Sequence, residues 1–305
     1  MDVLILGGSG FIGYHLINAL KKINIEPHVV DIRPPLAKGI KYTLFDLHNI
    51  NRNSSIFKEA DAVYHLAWTT LPETSNNDPV ADITSNLSMS IKILDACINN
   101  GVKKLIFISS GGTVYGIPRT VPINEGHPTN PICSYGITKL MVEKYIQQYC
   151  HIYGLDYVIF RPSNPFGEYQ NPSGIQGAVT VFLGHLAKGN PITMWGDGNV
   201  VRDYFYIGDL VTAMVKALDY FPSATGERVF NIGSGVGMSL NGLINLISRI
   251  TGIKPMVKHA NARALDVDRN VLDISLIKEK LGWFPKKDMD DAIEKTWRWV
   301  KENCK

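Results

Sequence analysis

Tyr135 and Lys139 stand four residues apart in Ser134-Tyr135-Gly136-Ile137-Thr138-Lys139, at the start of a segment with helical spacing, so both side chains share one helix face. A free phenol titrates at about 10 and is a poor base at neutral pH. An ammonium one turn away, with a positively charged ring close by, favours the phenolate and makes tyrosine a usable general base. Alone, the spacing also describes many amphipathic helix surfaces. It gains meaning from Gly7-Gly8-Ser9-Gly10-Phe11-Ile12-Gly13, where glycines spaced Gly7-x-x-Gly10-x-x-Gly13 let backbone N–H groups close on a pyrophosphate. A helix that opens at Phe11 and Ile12 adds its positive dipole end. Eighteen residues beyond Gly13, His28-Val29-Val30 ends in Asp31, whose carboxylate is placed to accept from ribose hydroxyls and to repel a 2′-phosphate. That favours NAD over NADP as cofactor. Arg33 is the opposing signal, because arginine there accepts such a phosphate.

These groups need strand ends and helix starts to hold them. Val3-Leu4-Ile5-Leu6 reads as a buried strand, followed by a helix through Tyr14 to Leu20. Ala62 to Ala67, Lys104 to Ser109 and Tyr157 to Arg161 read as further strands, and Ser85 to Asn99 and Ser134 to Tyr153 as helices. The alternation predicts an α/β fold, a Rossmann-type doubly wound parallel sheet, with a smaller C-terminal substrate domain. We place the cofactor domain at 1–165 and the substrate domain at 166–305, where the rhythm breaks into Gly- and Pro-rich loops. Asp203 to Ile207 and a helix near Asp209, about 203–220, are expected to return to the first domain, and the two lobes to share a cleft.

At 305 residues and 45% hydrophobic, the chain can bury a large core. Its net charge of +3 is spread without basic runs, so neither nucleic acid nor membrane is the expected partner. No apolar stretch approaches the roughly 18 residues of a membrane span. Val3 already reads as strand, so no leader is expected. Cys97, Cys133, Cys150 and Cys304 lack metal spacing and read as packing residues of a reduced, cytoplasmic protein with no metal.

With Arg161-Pro162-Ser163-Asn164-Pro165-Phe166-Gly167, Trp195-Gly196-Asp197-Gly198, Val114-Tyr115-Gly116, Asn86 and Arg202-Asp203-Tyr204 added, the chain resembles the extended short-chain dehydrogenases/reductases. The likeness is to UDP-galactose 4-epimerase and its relatives, and it covers nearly the whole length. The resemblance implies that Asp46 and Leu47 lie against adenine, and that Leu66 and Ala67 flank the cofactor, with Ser109 also beside it. It implies that Asn164 meets the sugar or its phosphates, that Arg202 and Arg263 meet the diphosphate, and that the backbone near Met194 meets the base. Two guanidinium forks suit a diphosphate through charge-assisted hydrogen bonds.

Two departures stand out. The family places a Ser or Thr hydroxyl where this chain has Gly111, to bond the sugar 4-oxygen beside the tyrosine. The hydroxyls nearby are Ser109, Ser110 and Thr113, and strand alternation favours Thr113, with water as the other filler of the gap. Thr70 stands where these epimerases often carry a lysine near the cofactor phosphates. Gly111-Gly112-Thr113 also offers neither of the carboxylates that the family's dehydratases and decarboxylases use there.

The resemblance therefore implies an NAD-dependent nucleotide-sugar 4-epimerase acting on a UDP-hexose through a transient 4-keto sugar. The nearest rival is a nucleotide-linked 4-ketosugar reductase, and a more distant one a dinucleotide-sensing protein without catalysis, which would not need the Tyr/Lys pair. A homodimer through the two long helices is implied. In the 4-epimerases a residue some seven positions after the second diphosphate arginine lies on the wall beside the sugar 2-substituent, so the resemblance implies Asn270 there. A small residue there predicts that N-acetylhexosamine nucleotides are accepted; the other reading is an Asn that caps a turn before Asp273.

Overall fold

Val3–Leu6 (β1) is buried at every position, as a strand covered by helices on both faces must be. It lies inside the larger sheet of a computed structural model that describes residues 1–263 and 267–304. The chain divides into two units. The first comprises Met1–Gly116, Pro128–Arg161 and Val211–Phe230; the second comprises Ile117–His127, Pro162–Leu210 and Asn231–Lys305.

In the first unit, β1 is followed by α1 (Phe11–Lys21), β2 (His28–Asp31), β3 (Lys41–Leu44), β4 (Ala62–His65), α2 (Pro79–Asp82) and α3 (Ser88–Asn99). Then come β5 (Lys104–Ile108), α4 (Ser134–Tyr153) and β6 (Asp156–Pro162). Their sheet has the order β6-β5-β4-β1-β2-β3, with parallel registers throughout, and a later strand, Val229–Ile232, beyond β6. Leu6, Val30, Val63, Phe107 and Ile159 from the strands meet Ile93 and Ile146 from α3 and α4 in one buried cluster. Between α2 and α3 the helix loosens into a π-helical turn, Ile83–Leu87. Such turns are rare and concentrate at functional sites. The helix read from Ser85 thus begins earlier, at Pro79, where Asp78 caps the Ala81 N–H. α4 runs over the span its periodicity predicts and stops at Gly154, whose left-handed φ of 74° favours glycine.

The second unit adds β7 (Asn164–Phe166), α5 (Ala178–Ala187), β8 (Ile192–Trp195) and β9 (Val201–Tyr206). α6 (Ile207–Lys216) and β10 (Val229–Ile232) run between the units in sequence; β11 (Gly237–Ser239), α7 (Leu240–Thr251), β12 (Val257–Ala260), β13 (Arg269–Asn270), α8 (Ser275–Leu281) and α9 (Met289–Asn303) complete the second. β9 joins β11, β13 and β7 in a small sheet, and β8 pairs with β12. Here the structure corrects the expected return at about 203–220. The strand through Asp203 belongs to the small sheet, and the chain re-enters the first unit only at Val211. An alternating apolar pattern announces a strand without naming its partner.

Candidate active site

Gly7 turns the chain with φ of 81°, and a Cβ there would lie 2.5 Å from the backbone nitrogen of Ala67. A Cβ on Gly13 would lie 2.3 Å from the Gly8 carbonyl oxygen. These two glycines are required by the fold. Gly10 is different, because its Cβ would meet nothing nearer than the Gly7 oxygen at 3.8 Å. It is the N-cap of α1 and offers no capping side chain, and the first turn carries no acidic residue. The early N–H groups of that turn, at Phe11 and Ile12, thus keep the orphan donors and dipole that an anion answers. Asp31 is held at the end of β2 by the Ser9 N–H (2.9 Å) and the Arg33 N–H (3.2 Å), and the Ser9 hydroxyl donates to the Arg33 carbonyl at 2.6 Å. Its carboxylate retains accepting capacity for a diol. The glycine opening, the uncapped helix and this carboxylate fit NAD. Ser9, missed as a site residue, is what fastens the glycine loop to Asp31.

The remaining cofactor expectations divide. Leu66 and Ala67 follow β4 half-buried, with the Leu66 N–H on the Leu6 carbonyl at 2.9 Å. The Arg33 side chain and Asp46 are exposed. Asp46 accepts from the His48 N–H (3.0 Å), which holds its carboxyl below the ordinary range. Leu47 is only 5% exposed and packs in the core, so its side chain is not available to a ligand. The Ser109 hydroxyl is likewise committed within the protein. It is buried and donates to Glu143, while the Ser109 N–H bonds the Phe160 carbonyl.

At the start of α4 stand the two candidate proton-transfer groups. Tyr135 is half-buried and Lys139 buried, with Nζ 5.6 Å from the Tyr135 ring centre and 2.8 Å from the Ile108 carbonyl oxygen. Gly136 lets a turn pack against them: a Cβ there would sit 2.9 Å from the Thr113 oxygen and 3.1 Å from Thr113 Cβ. Ser110 closes that turn, its carbonyl accepting from Thr113 N (3.3 Å) and Val114 N (3.1 Å), and Gly111 is buried inside it. Thr113 Oγ1 is enclosed without a hydrogen-bond partner among the described residues. A buried hydroxyl left unbonded is costly unless a ligand completes it.

Tyr135 and Lys139 titrate against expectation. Burial pushes the Tyr135 phenol up, with Cys133 and Asp82 adding to the rise. Burial also pushes Lys139 well down, and Glu143 and Asp82 oppose that. The protein's own groups therefore hold Tyr135 as a neutral phenol, because loss of hydration outweighs any benefit from the neighbouring amine.

Asp82 was not anticipated from the sequence. Its wholly buried carboxylate accepts from the Ser134 hydroxyl (2.8 Å) and the Thr138 hydroxyl (2.7 Å) on one oxygen. The other oxygen accepts from Thr70 (2.5 Å) and Asn86 Nδ2 (3.0 Å). Thr70, standing where a lysine was expected, is thus committed to this hub. Ser75 Oγ and Asn76 Oδ1 accept from the Tyr135 and Ser134 N–H groups at 3.0 and 2.9 Å, capping α4 from a distance of some 60 residues. On the next turn Glu143 pairs with Arg161 (2.6 Å), which also donates to the Tyr115 hydroxyl (3.0 Å). Ser134, Thr138, Thr70, Asn86, Tyr115 and Arg161 stood in motifs the sequence singled out, whereas Asp82, Ser75, Asn76 and Glu143 carried no signal.

In the second unit, Asn164 opens β7 and donates to the Asp203 carbonyl at 3.0 Å. Met194 buries its side chain in β8, which pairs with β12, so that side chain is not open to a ligand. Arg202 donates to the Val267 and Val201 carbonyls at 2.6 and 3.0 Å, and Arg263 lies 4.3 Å from the centre of the Trp195 ring. Asn270 pairs in register with Arg202 and is 1% exposed. It is therefore a buried strand position rather than the open wall or turn cap read from spacing.

A profile of the NAD-dependent epimerase/dehydratase family matches residues 3–233. The chain is 32% identical to the UDP-glucose 4-epimerase of Mycolicibacterium smegmatis over 312 residues, covering 97% of each chain. It is 33% identical to a dTDP-4-dehydro-6-deoxyglucose reductase of Escherichia coli over 309 residues, covering 96% of this chain and 95% of that one. The crystal structure of the UDP-glucose 4-epimerase of Thermotoga maritima with UDP-glucose superposes with a TM-score of 0.93 at 32% identity, covering all of both chains. With its glycine turn, Asp31 and the Tyr135–Lys139 helix, this chain belongs to the NAD-dependent epimerase/dehydratase family and is an NAD-dependent epimerase.

Proposed function

We propose that this protein interconverts the C4 epimers of a UDP-hexose, plain or N-acetylated, through a transient 4-keto sugar. What carries the reading is the Thr113 hydroxyl, buried, unbonded and packed through Gly136 against the helix turn that bears Tyr135. Tyr135 accepts the proton of the sugar 4-hydroxyl at its phenolic oxygen and returns it after the sugar has turned over. Thr113 Oγ1 bonds the same 4-oxygen, in place of the hydroxyl that Gly111 lacks. Lys139 holds positive charge beside the phenol. Bound NAD supplies the acceptor for the C4 hydride and a positive ring that favours the phenolate. Gly7, Gly10, Phe11 and Ile12 hold its pyrophosphate and Asp31 its ribose, while Arg202 and Arg263 serve the substrate diphosphate.

Tyr135→Phe is the deciding variant. It is expected to lose on the order of a hundredfold or more in turnover while still retaining NAD. Turnover like the parent's with NAD retained overturns the mechanism. A nucleotide-linked 4-ketosugar reductase, the reading that the E. coli relative favours, gives a different signature. The epimerase equilibrates UDP-glucose and UDP-galactose without added cofactor, whereas a reductase consumes a reduced cofactor stoichiometrically. We also propose a homodimer through α3 and α4, supported by the exposed Ile137 on α4. Light scattering at the 33.9 kDa of one chain overturns it.

A further inference from the structure

Lys139 occupies an unusual place for a cation. It is 5% exposed, and its Nζ has one carbonyl partner and no ion pair among the described residues. Three aromatic rings surround it instead. The centre of the Trp68 ring is 3.6 Å from Nζ, that of Phe107 4.8 Å and that of Tyr135 5.6 Å. Trp68 comes nearest by a wide margin, and indole is the strongest of the aromatic faces toward a cation.

The indole is itself fixed. Its Nε1 donates to Thr70 Oγ1 at 3.2 Å, and Thr70 is anchored on Asp82. Its ring meets Tyr135 edge-on, with centroids 5.8 Å apart and planes at 71°. One side chain following β4 thus touches both members of the pair on α4.

We propose that Trp68 is a positioning residue for the reaction, its indole face seating the Lys139 ammonium beside Tyr135 and keeping it charged in a buried site. This rests on the reading of Tyr135 and Lys139 as the catalytic pair. The titratable groups facing this seat are His65 at the end of β4, Asp82 of α2, Cys133, Tyr135 and Glu143 at α4, and Arg161 of β6, which pairs with Glu143. Glu143 and Asp82 favour the ammonium, but both are committed to other donors. Burial works against it, so the electrostatic attraction to the ring face is the contribution that a Trp68 substitution removes.

The test is a pH titration of the full chain without cofactor, labelled with 13C at lysine Cε and assigned through Lys139→Arg. In Trp68→Leu the Lys139 midpoint is expected to fall by about one pH unit or more, and in Trp68→Phe by less. The alkaline limb of kcat/KM is expected to move down with it. Should Trp68→Leu fail to fold, replacement of the tryptophans by fluorotryptophan keeps the shape and weakens the ring face, and is expected to lower the midpoint in the same direction. A Lys139 midpoint that stays at the parent value in Trp68→Leu or in the fluorinated protein overturns the proposal and leaves Trp68 as packing alone. Full turnover in Lys139→Met overturns its catalytic part by removing the pair on which it rests, and the titration separates the two failures.

Discussion

Replacing Asp82 by alanine tests whether the first turn of α4 is held by one carboxylate. Four donors converge on that buried group: the Thr70, Ser134 and Thr138 hydroxyls and Asn86 Nδ2. Asn86 would keep the Asp82 main-chain carbonyl at 3.1 Å and Thr70 at 3.2 Å, so it is not orphaned. The hydroxyls of Ser134 and Thr138 can turn toward carbonyls of neighbouring residues, at some cost to helix geometry. One or two donors therefore remain unsatisfied, at about 1–3 kcal/mol each, and the expected loss of stability is about 2–5 kcal/mol. At roughly 2–4 °C per kcal/mol, thermal unfolding followed by circular dichroism would come about 4–20 °C earlier. Turnover is expected to fall further than stability, on the order of a hundredfold at 25 °C, because Ser134 and Thr138 directly precede Tyr135 and Lys139 and a shift of about 1 Å is enough. Asp82→Asn, which keeps volume and one accepting oxygen, is expected to fall between. A folded Asp82→Ala protein with kcat within about twofold of the parent would refute the clamp, whatever its melting temperature.

The two glycines of the cofactor turn predict opposite defects. Gly10→Ala is expected to fold with stability within about 1 kcal/mol of the parent yet to bind NAD more weakly by calorimetry, since its Cβ enters open space; Gly13→Ala is expected to be unstable with or without NAD, since its Cβ meets the Gly8 carbonyl at 2.3 Å. Equal NAD affinity in parent and Gly10→Ala would refute the cradle. Thr113→Val, nearly isosteric, is expected to lower turnover, and Gly111→Ser in that background to restore part of it; unchanged turnover in Thr113→Val assigns the hydroxyl elsewhere. His65 gives a pH signature, because burial and then Lys139 lower its midpoint from 6.5 to about 3. Its stabilisation is complete above 6.5 and is lost as pH falls toward about 3, an upper limit of ~5 kcal/mol. Urea midpoints measured from pH 7 to 4 are expected to fall more steeply for the parent than for His65→Gln, and parallel curves would refute it.

Local patterns reached the parts of this protein that local physics decides. Unbroken apolar runs such as Val3–Leu6 and 105–108 are strands because helices cover both faces, and α4 is bounded by a turn that needs glycine at 154. The same patterns missed every feature built by contact across the chain. Asp82 bonds Ser134 and Thr138, 52 and 56 residues on, and an isolated Asp in an alanine- and valine-bearing turn looks like any solvated helix start. Ser109 looked available because hydroxyls at strand ends usually are, but Glu143 reaches it from the next turn of α4. Asn270 was placed by counting, and pairing of β13 with β9 turned it inward.

The common cause bears on how the site works. Tyr135 and Lys139 are legible because their chemistry is written in residue type and spacing of four. What makes them a site is the set of groups that fixes them: Ser75 and Asn76 capping their helix, Asp82 fastening its first turn, Gly136 admitting Thr113, and Trp68 seated on the ammonium. Each spends hydrogen-bonding or packing capacity on orientation, and none of them needs to touch the substrate to do so. Burial of the pair pushes the phenol up and the ammonium down, and Asp82 works against the second of these shifts. On the proposed mechanism Tyr135 accepts a proton only as the phenolate, which positive charge arriving beside it favours against burial.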